Sequence, residues 1–272
     1  MAKRFDQHIH TSFSSDADTA AAMARVAGAA AGKGLAGIAV TDHYDPLWPD
    51  AYNPSWLDVP AYEGALAETE AAFAGQIRFA KGVELGLLPG EALAMCAETV
   101  KAFPYDFVIG SVHYSAEIPI DYPGFTEGRA LRDIVDEYYT ILLESVRAYK
   151  DYDVIGHINC IDRYTDGFAP DGMYMPYIDE VLRVAIGDGK GIEINTSSHR
   201  YGIGDRGTPN MRILSRFREL GGEIVTIGSD AHRPADIGAF IEKGEEMLLA
   251  AGFRYFAVYS QRQPEFFALS QG

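Results

Sequence analysis

Two histidines, His8 and His10, lie two residues apart in the stretch FDQHIHTSFSSDAD near the N-terminus. Residues i and i+2 of a β-strand project from the same face, so both imidazoles would point to one side. Asp230 and His232 have the same spacing in GSDAH, far along the chain. Imidazoles and carboxylates together are suitable ligands for zinc, manganese or iron. The spacing therefore predicts a metal site, provided that the two segments meet in space.

The other histidines extend this pattern. Of the seven in the chain, all but His199 lie at or just beyond the C-terminal end of a predicted strand, and they are His8, His10, His43, His113, His157 and His232. Asp16, Asp42 and Glu84 come from the same strand ends. A bridging carboxylate such as Glu84 can hold two cations within about 4 Å of each other. Without metal, so many of these groups at one place would be costly to desolvate.

The elements that must position these residues alternate along the chain. Runs rich in valine and isoleucine predict strands, and segments rich in alanine, leucine and charged residues predict helices. The predicted strands cover residues 4–10, 36–43, 77–85, 106–114, 153–158, 191–197 and 223–232. The predicted helices cover residues 19–33, 61–74, 91–102, 129–149, 175–186, 209–220 and 236–250.

This alternation is typical of a parallel α/β fold. No linker rich in proline, glycine and serine interrupts it, so we predict a single domain over residues 1–272, closed into a barrel. In such a barrel the C-terminal ends of all strands meet at one rim, which would bring the distant histidines together. An open doubly wound sheet is the alternative.

Two irregular segments rich in proline and aromatic residues, 44–56 and 115–125, directly follow predicted strands. The loops after the strands of a barrel build its active site, so these segments are candidate walls of a substrate pocket. Ordered surface loops without such a role are the alternative.

Charge and composition exclude several classes of partner. The net charge of −16 and a pI near 4.8 disfavour nucleic acid and anionic membrane surfaces, which are bound through basic patches. No segment approaches the ~20 apolar residues of a membrane helix. Cys96 and Cys160 lie far apart and form no CxxC pair, so neither a disulfide framework nor a thiolate zinc site is indicated. We expect a soluble, cytoplasmic protein, and the sequence leaves its oligomeric state open.

With these residues assembled, the chain resembles the polymerase and histidinol phosphatase (PHP) family of metal-dependent phosphoesterases. The family signatures occur in order as HIH followed by SSDAD, TDH, GVE ahead of GSVH, GHI and SDAH, spanning residues 8 to 232. The resemblance implies a distorted (β/α)7 barrel with two to three divalent ions, zinc, manganese or iron, at its rim. It implies a first ion held by His8, His10, Glu84 and Asp230, a second by Glu84, His113 and His157, and a third by Asp16, His43 and His232.

The resemblance also implies an activity. We expect a phosphatase acting on a small phosphate monoester, with L-histidinol phosphate of histidine biosynthesis as the first substrate to test. Attack by a hydroxide that bridges two metals would make a serine or cysteine nucleophile unnecessary. The predicted catalytic residues are His8, His10, Glu84, His113 and Asp230. Alternatives are a phosphoesterase acting on phosphodiesters, oligonucleotides or another small ester, and a non-catalytic metal-binding PHP module.

Several further residues around this site are candidates for binding the substrate or orienting a ligand. Arg163 and Arg200 follow strands that carry site residues, and the resemblance makes them candidate phosphate clamps, with ordinary surface arginines as the alternative. His199 is a candidate donor to the phosphate or to the leaving alkoxide, or a simple loop histidine. Asp42 is expected to orient a ligand histidine. The roles of Glu193 and Asn195, which share one strand face, stay open.

Overall fold

Strands and helices alternate along the chain as the sequence predicts. The computed structural model of the protein describes residues 3–52, 57–165, 169–203 and 207–269. Its strands are β1 (Phe5–Ile9), β2 (Gly37–Val40), β3 (His43–Tyr44), β4 (Arg78–Gly86), β5 (Phe107–Ser111), β6 (Val154–Ile155), β7 (Gly191–Asn195), β8 (Val225–Gly228), β9 (Tyr255–Ser260) and β10 (Gln263–Ala268). Its α-helices are α1 (Met23–Gly32), α2 (Val59–Ala72), α3 (Glu91–Ala102), α4 (Pro123–Thr126), α5 (Leu131–Ala148), α6 (Asp171–Gly187), α7 (Met211–Glu219) and α8 (Ile241–Ala250).

Strands β1 to β8 form a closed parallel barrel. They are ordered β1-β2-β4-β5-β6-β7-β8, and the short β3 continues the position of β2 by pairing with the second half of β4. The barrel closes between β8 and β1, where the Asp230 N–H donates to the His8 carbonyl at 2.8 Å and the His10 N–H donates to the Ala231 carbonyl at 2.9 Å. The predicted distorted (β/α)7 barrel is therefore confirmed, and the alternative of an open sheet is wrong.

Amphipathic helices cover the outside of the barrel, and α5 is an example. Ile134, Tyr138 and Leu142 recur every four residues on its buried face, so one stripe of this helix packs inward. Tyr177 of α6 donates a hydrogen bond to Asp136 of α5 at 3.2 Å, which ties neighbouring helices together. Within the described ranges, no helix combines the length and the apolar character needed to cross a membrane.

The predicted element bounds fail where the backbone turns near the rim. The strand predicted over 223–232 ends at Gly228, because Asp230 has a left-handed backbone with φ of 54°, which interrupts regular pairing. The helix predicted from residue 236 begins at Ile241, because Phe240 is also left-handed with φ of 60°. The segment before it, Pro234–Asp236, forms a separate 3-10 turn. Helix α3, by contrast, has the predicted bounds.

The C-terminal hairpin of β9 and β10, which the sequence analysis did not predict, covers the end of the barrel opposite the rim. The Tyr259 N–H donates to Gln7 Oε1 of β1 at 3.1 Å, and the Tyr259 ring lies 4.9 Å from that of Phe107 at the start of β5. Arg262 Nε donates to the buried Asp153 Oδ2, beside β6, at 2.7 Å. The hairpin thus seals the barrel floor by bonding to the N-terminal ends of its strands.

Replacing Arg262 with alanine should destabilise the fold, because the buried Asp153 carboxylate would lose its cation. We expect the free energy of unfolding in urea to fall by about 1–3 kcal/mol. Burial raises the pKa of Asp153 and Arg262 lowers it, so the deficit should shrink as the pH falls through this raised pKa and the carboxyl is protonated. Arg254→Ala, at an exposed position just before β9, is the control, and equal losses in both variants would contradict the assigned role of Arg262.

Candidate metal centre at the barrel rim

The end of β1, β4 and the segment after β8 bring together a first cluster, formed by His8, His10, Glu84 and Asp230. His8 Nε2 lies 3.0 Å from His10 Nε2, 3.1 Å from Glu84 Oε2 and 3.7 Å from Asp230 Oδ1. His10 Nε2 lies 3.4 Å from each of the two carboxylate oxygens. Ligand atoms about 2.1 Å from a tetrahedral metal ion lie about 3.4 Å from one another. The distances among His8, His10 and Asp230, and from both histidines to Glu84, are therefore close to those between the ligands of one metal ion.

A second cluster, formed by Glu84, His113 and His157, uses the other oxygen of the same carboxylate. Glu84 Oε1 lies 3.2 Å from His113 Nε2 and 2.9 Å from His157 Nε2, and the two nitrogens are 3.4 Å apart. Ser111 at the end of β5 donates to the same oxygen at 2.7 Å, which fixes its direction. Glu84 thus joins the first two clusters.

A third cluster, formed by Asp16, His43 and His232, lies on the solvent side of the first. Asp16 Oδ2 is 3.0 Å from His232 Nε2 and 3.6 Å from His43 Nε2. His10 connects this cluster to the first, because its ring centroid is 4.1 Å from that of His232 and 4.2 Å from that of His43. The structure therefore brings together each of the three residue groups that the sequence analysis assigned to a metal ion, although the assignment of ions to them stays a prediction.

Two buried polar atoms at the rim are left without a hydrogen bond by the described residues, and a bound cation would satisfy them. Glu84 Oε2 and His43 Nδ1 are buried and 3.1 Å apart, yet neither has a hydrogen bond of acceptable geometry within the described part of the chain. Unmatched buried polar atoms are costly and are usually satisfied by a ligand or an ion. The close approach of the His8 and His10 ring nitrogens also suits a shared cation. The donor set therefore fits divalent metal ions.

The carboxylates of the rim stay ionised despite burial. Burial opposes the charge on Glu84, but the nearby imidazoles of His8, His113 and His43 hold its pKa well below the usual range. Burial likewise disfavours charge on His113, yet Asp45 and Glu84 outweigh it and raise its pKa to about 10. Without metal, the carboxylates therefore favour the protonated form of the imidazoles. Metal binding would displace these protons.

Two carboxylates outside the clusters orient the histidines. Asp42 Oδ1 accepts a hydrogen bond from Ser14 Oγ at 2.7 Å, and Ser14 Oγ lies 3.0 Å from His10 Nδ1, so Asp42 acts on that histidine through the serine. Asp45 Oδ1 lies 2.8 Å from His113 Nδ1. Asp45 is not among the predicted site residues, although its spacing of two residues from His43 is the same signal that singles out His8 and His10.

A cavity of about 680 Å³ opens over the rim. Trp48 and Tyr52 line it from the segment 44–56, and Ile120 and Tyr122 line it from the segment 115–125. Both segments therefore contribute to the pocket as predicted, although residues 53–56 lie outside the described part of the chain. The volume is in the range of small-molecule sites.

The candidate phosphate clamps have different surroundings. Arg163 lines the cavity. Its NH2 donates to Ser197 Oγ at 2.8 Å and to Asn195 Oδ1 at 3.2 Å, while its buried Nε has no hydrogen-bond partner among the described residues. Arg200 also lines the cavity, but it donates to the carbonyls of Ser229 and Asp230 at 2.7 Å each. His199 is not among the residues around the cavity and instead packs its ring 5.2 Å from that of Phe240, so its proposed donor role lacks support from its position.

Lys81 of β4 does not contribute to the clusters at the rim. Its Nζ lies 2.9 Å from Glu70 Oε2 of α2, so the side chain points toward the helical layer and away from the rim. Lys81 and Glu84 therefore project from opposite faces of β4.

The closed (β/α)7 barrel and its rim of imidazoles and carboxylates define a class, the metal-dependent hydrolases with a metal centre at the C-terminal strand ends. More narrowly, the chain belongs to the PHP domain family, whose model matches residues 6–197. The resemblance noted from the sequence is therefore confirmed.

Individual relatives cover nearly the whole chain. The histidinol-phosphatase of Lactococcus lactis is 27% identical over 264 residues, which are 95% of each protein. A protein of Clostridium acetobutylicum named probable histidinol-phosphatase is 30% identical over 86% of this chain and 88% of its own. The crystal structure of the histidinol phosphate phosphatase from Lactococcus lactis, complexed with zinc, L-histidinol and phosphate, matches with a TM-score of 0.86 at 26% identity. The match covers 97% of this chain and 100% of that one.

Replacing Gly86 with alanine should disturb the second cluster. A Cβ atom there would lie 2.0 Å from Asp45 Oδ1 and 2.7 Å from Tyr114 Cε1, so the carboxylate that holds His113 must move. We expect the free energy of unfolding to fall by about 1–3 kcal/mol and the protein to bind fewer metal ions, counted by elemental analysis.

Gly64→Ala on α2 is the matched control, because a Cβ atom there meets nothing within 4 Å. This variant should keep its metal content and be unchanged or more stable, since alanine favours helices. Full metal content in Gly86→Ala would contradict the role given to Asp45.

Proposed function

We propose that the protein is a metal-dependent phosphatase that hydrolyses L-histidinol phosphate to L-histidinol and phosphate, a step of histidine biosynthesis. The observation that carries this proposal is the position of the three clusters beside Arg163 and Arg200 in one cavity. Metal ligands and anion-binding arginines are the two components that phosphoryl transfer requires. The names of the relatives support the choice of substrate.

The three clusters would hold two to three divalent ions, of zinc, manganese or iron. His8, His10, Glu84 and Asp230 would supply four ligands to one ion, and the other clusters would offer three each. A set of three protein ligands leaves a coordination position for water or substrate, which is typical of catalytic rather than structural sites. The relative of known structure contains zinc, which makes zinc the first ion to test.

Bound divalent ions would supply a nucleophile by lowering the pKa of water and would offset negative charge on the phosphate. The protein's own contribution lies in orientation and charge. The hydrogen bond from Ser111 to Glu84 fixes the direction of the carboxylate oxygen in the second cluster, and the guanidinium of Arg163, which lines the cavity, would attract an anion bound there. This arrangement requires no serine or cysteine nucleophile.

The remaining cavity wall suits the organic part of a cationic substrate. Trp48, Tyr52 and Tyr122 provide flat apolar faces, and Asp121 and Asp236 provide negative charge. An imidazole can stack on aromatic rings, and an ammonium group is attracted by both rings and carboxylates. The small pocket and the net charge of −16 also support a small phosphorylated partner rather than nucleic acid.

Chelation of the metals should abolish phosphate release from L-histidinol phosphate, and added Zn²⁺ or Mn²⁺ should restore it. Glu84→Gln should lower kcat by at least about 10²-fold while the fold is retained, because one side chain serves both clusters. Glu70→Gln, which removes a carboxylate on α2, is the control and should be fully active. Phosphate release can be followed with a colorimetric assay and the fold by circular dichroism.

The same assay separates the alternatives. Equal turnover of a short oligonucleotide and of small monoesters would favour a phosphodiesterase. No release from a broad monoester panel by the metal-loaded protein would contradict the proposal and favour a non-catalytic metal-binding module.

Arg163→Ala should lower kcat/KM for L-histidinol phosphate by roughly 10²-fold, because a donor to the phosphate would be lost. Arg132→Ala on the exposed face of α5 is the matched control and should behave as the wild type. Metal content must be measured alongside, since Arg163 NH1 also lies 3.7 Å from Asp230. Unchanged kinetics in Arg163→Ala would remove it from the phosphate site.

A further inference from the structure

We propose that Glu193 is a positioning residue that sets His8 and His157 relative to each other, so that the first and second clusters bind metal as a unit. The inference rests on the metal sites of the proposed function but not on the identity of the substrate. Glu193 lies in β7, next to β8 in the barrel, and its side chain points inward beneath the rim, where it is only 1% exposed.

One carboxylate oxygen of Glu193 directs His8. Glu193 Oε1 lies 2.6 Å from His8 Nδ1, so a neutral imidazole there keeps its proton on Nδ1 and leaves the lone pair of Nε2 for a metal. That Nε2 is the atom 3.1 Å from Glu84 Oε2 in the first cluster. The hydrogen bond therefore fixes both the tautomer and the ring orientation that metal binding needs.

The other oxygen directs the second cluster. Glu193 Oε2 accepts the backbone N–H of His157 at 2.9 Å, which holds the chain just after β6 where the ring of His157 reaches Glu84. It also accepts from Asn195 Nδ2 at 3.3 Å, and that amide donates to Asp230 Oδ2 at 3.2 Å. One carboxylate is thus bonded to a residue of the first cluster and to one of the second, and it reaches Asp230 through Asn195.

The neighbouring strand leaves room for this contact. A Cβ atom on Gly228 would lie 2.3 Å from the His8 Cβ and 2.6 Å from Glu193 Oε1, so only glycine permits the approach. Within the described residues, Glu193 has no hydrogen bond to Asp16, His43 or His232. The third cluster should therefore be independent of it.

Glu193→Gln tests the proposal. The amide has one acceptor and one donor end, so it cannot accept from both His8 and the His157 N–H, and one of the two bonds is lost in either orientation. We expect the apparent Zn²⁺ affinity of two ions per chain to fall about 10- to 100-fold while a third is unaffected, measured by competition with a chromophoric chelator. Native mass spectrometry would count the ions bound.

Two variants serve as controls. Glu223→Gln removes the same charge from an exposed position before β8 and should bind zinc as the wild type does. Asp45→Asn changes a residue that lies 2.8 Å from His113 Nδ1 and 3.7 Å from His43 Nδ1 and that has no hydrogen bond to His8, His10 or Asp230 within the described residues. This variant should keep wild-type affinity for the ion of the first cluster, so weaker binding of that ion in Glu193→Gln alone would be specific to Glu193.

Wild-type affinity in Glu193→Gln would overturn the proposal, and a loss confined to one ion would overturn its claim that the clusters are coupled. If this variant does not fold, Glu193→Asp keeps the charge and both acceptors but is one methylene too short to hold both partners. This variant should bind the same two ions with lower affinity, and wild-type affinity would again refute the proposal. Because the titration uses Zn²⁺ and no substrate, failure of the proposed hydrolysis would leave this result interpretable.

Discussion

The site depends on one buried carboxylate that faces two groups of imidazoles. Glu84 Oε2 lies 3.1 Å from His8 Nε2 and 3.1 Å from His43 Nδ1, while Oε1 lies 2.9 Å from His157 Nε2. A fully buried carboxylate is stable only with strong compensation, and the surrounding rings supply it as imidazolium charge or by sharing a cation. Because this side chain on β4 lies between the first two clusters, the imidazoles of both must lie within reach of its two oxygens.

The barrel meets this requirement because parallel strands end at a common rim. Residues far apart in sequence, such as His8 and Asp230, become neighbours through the closure of β8 onto β1. The rim also departs from regular strand geometry at a candidate ligand, Asp230, whose backbone is left-handed. At the opposite end, the hairpin of β9 and β10 fills the barrel floor. The candidate metal site and the closed end of the barrel therefore lie at opposite ends of the fold.

Much of this arrangement follows from the sequence. Strand alternation and the i, i+2 spacing of His8 and His10 predict a common rim, and the signature segments identify the family and its barrel. The contacts that orient the ligands do not follow in the same way. The effect of Asp42 on His10 passes through Ser14, and that path depends on the loop conformation after β1 rather than on any periodicity. The C-terminal hairpin is not predicted, because polar and apolar residues alternate only weakly in the exposed β10 and because the role of the hairpin depends on distant partners such as Asp153.

The central claim, that Glu84 joins two metal sites, can be tested directly by anomalous X-ray diffraction from zinc-loaded crystals. Data collected at the zinc absorption edge should contain one peak among His8, His10, Glu84 and Asp230 and another among Glu84, His113 and His157. One oxygen of Glu84 should point to each peak. The absence of peaks at this rim in fully loaded crystals, or an ion bound without Glu84, would contradict the account.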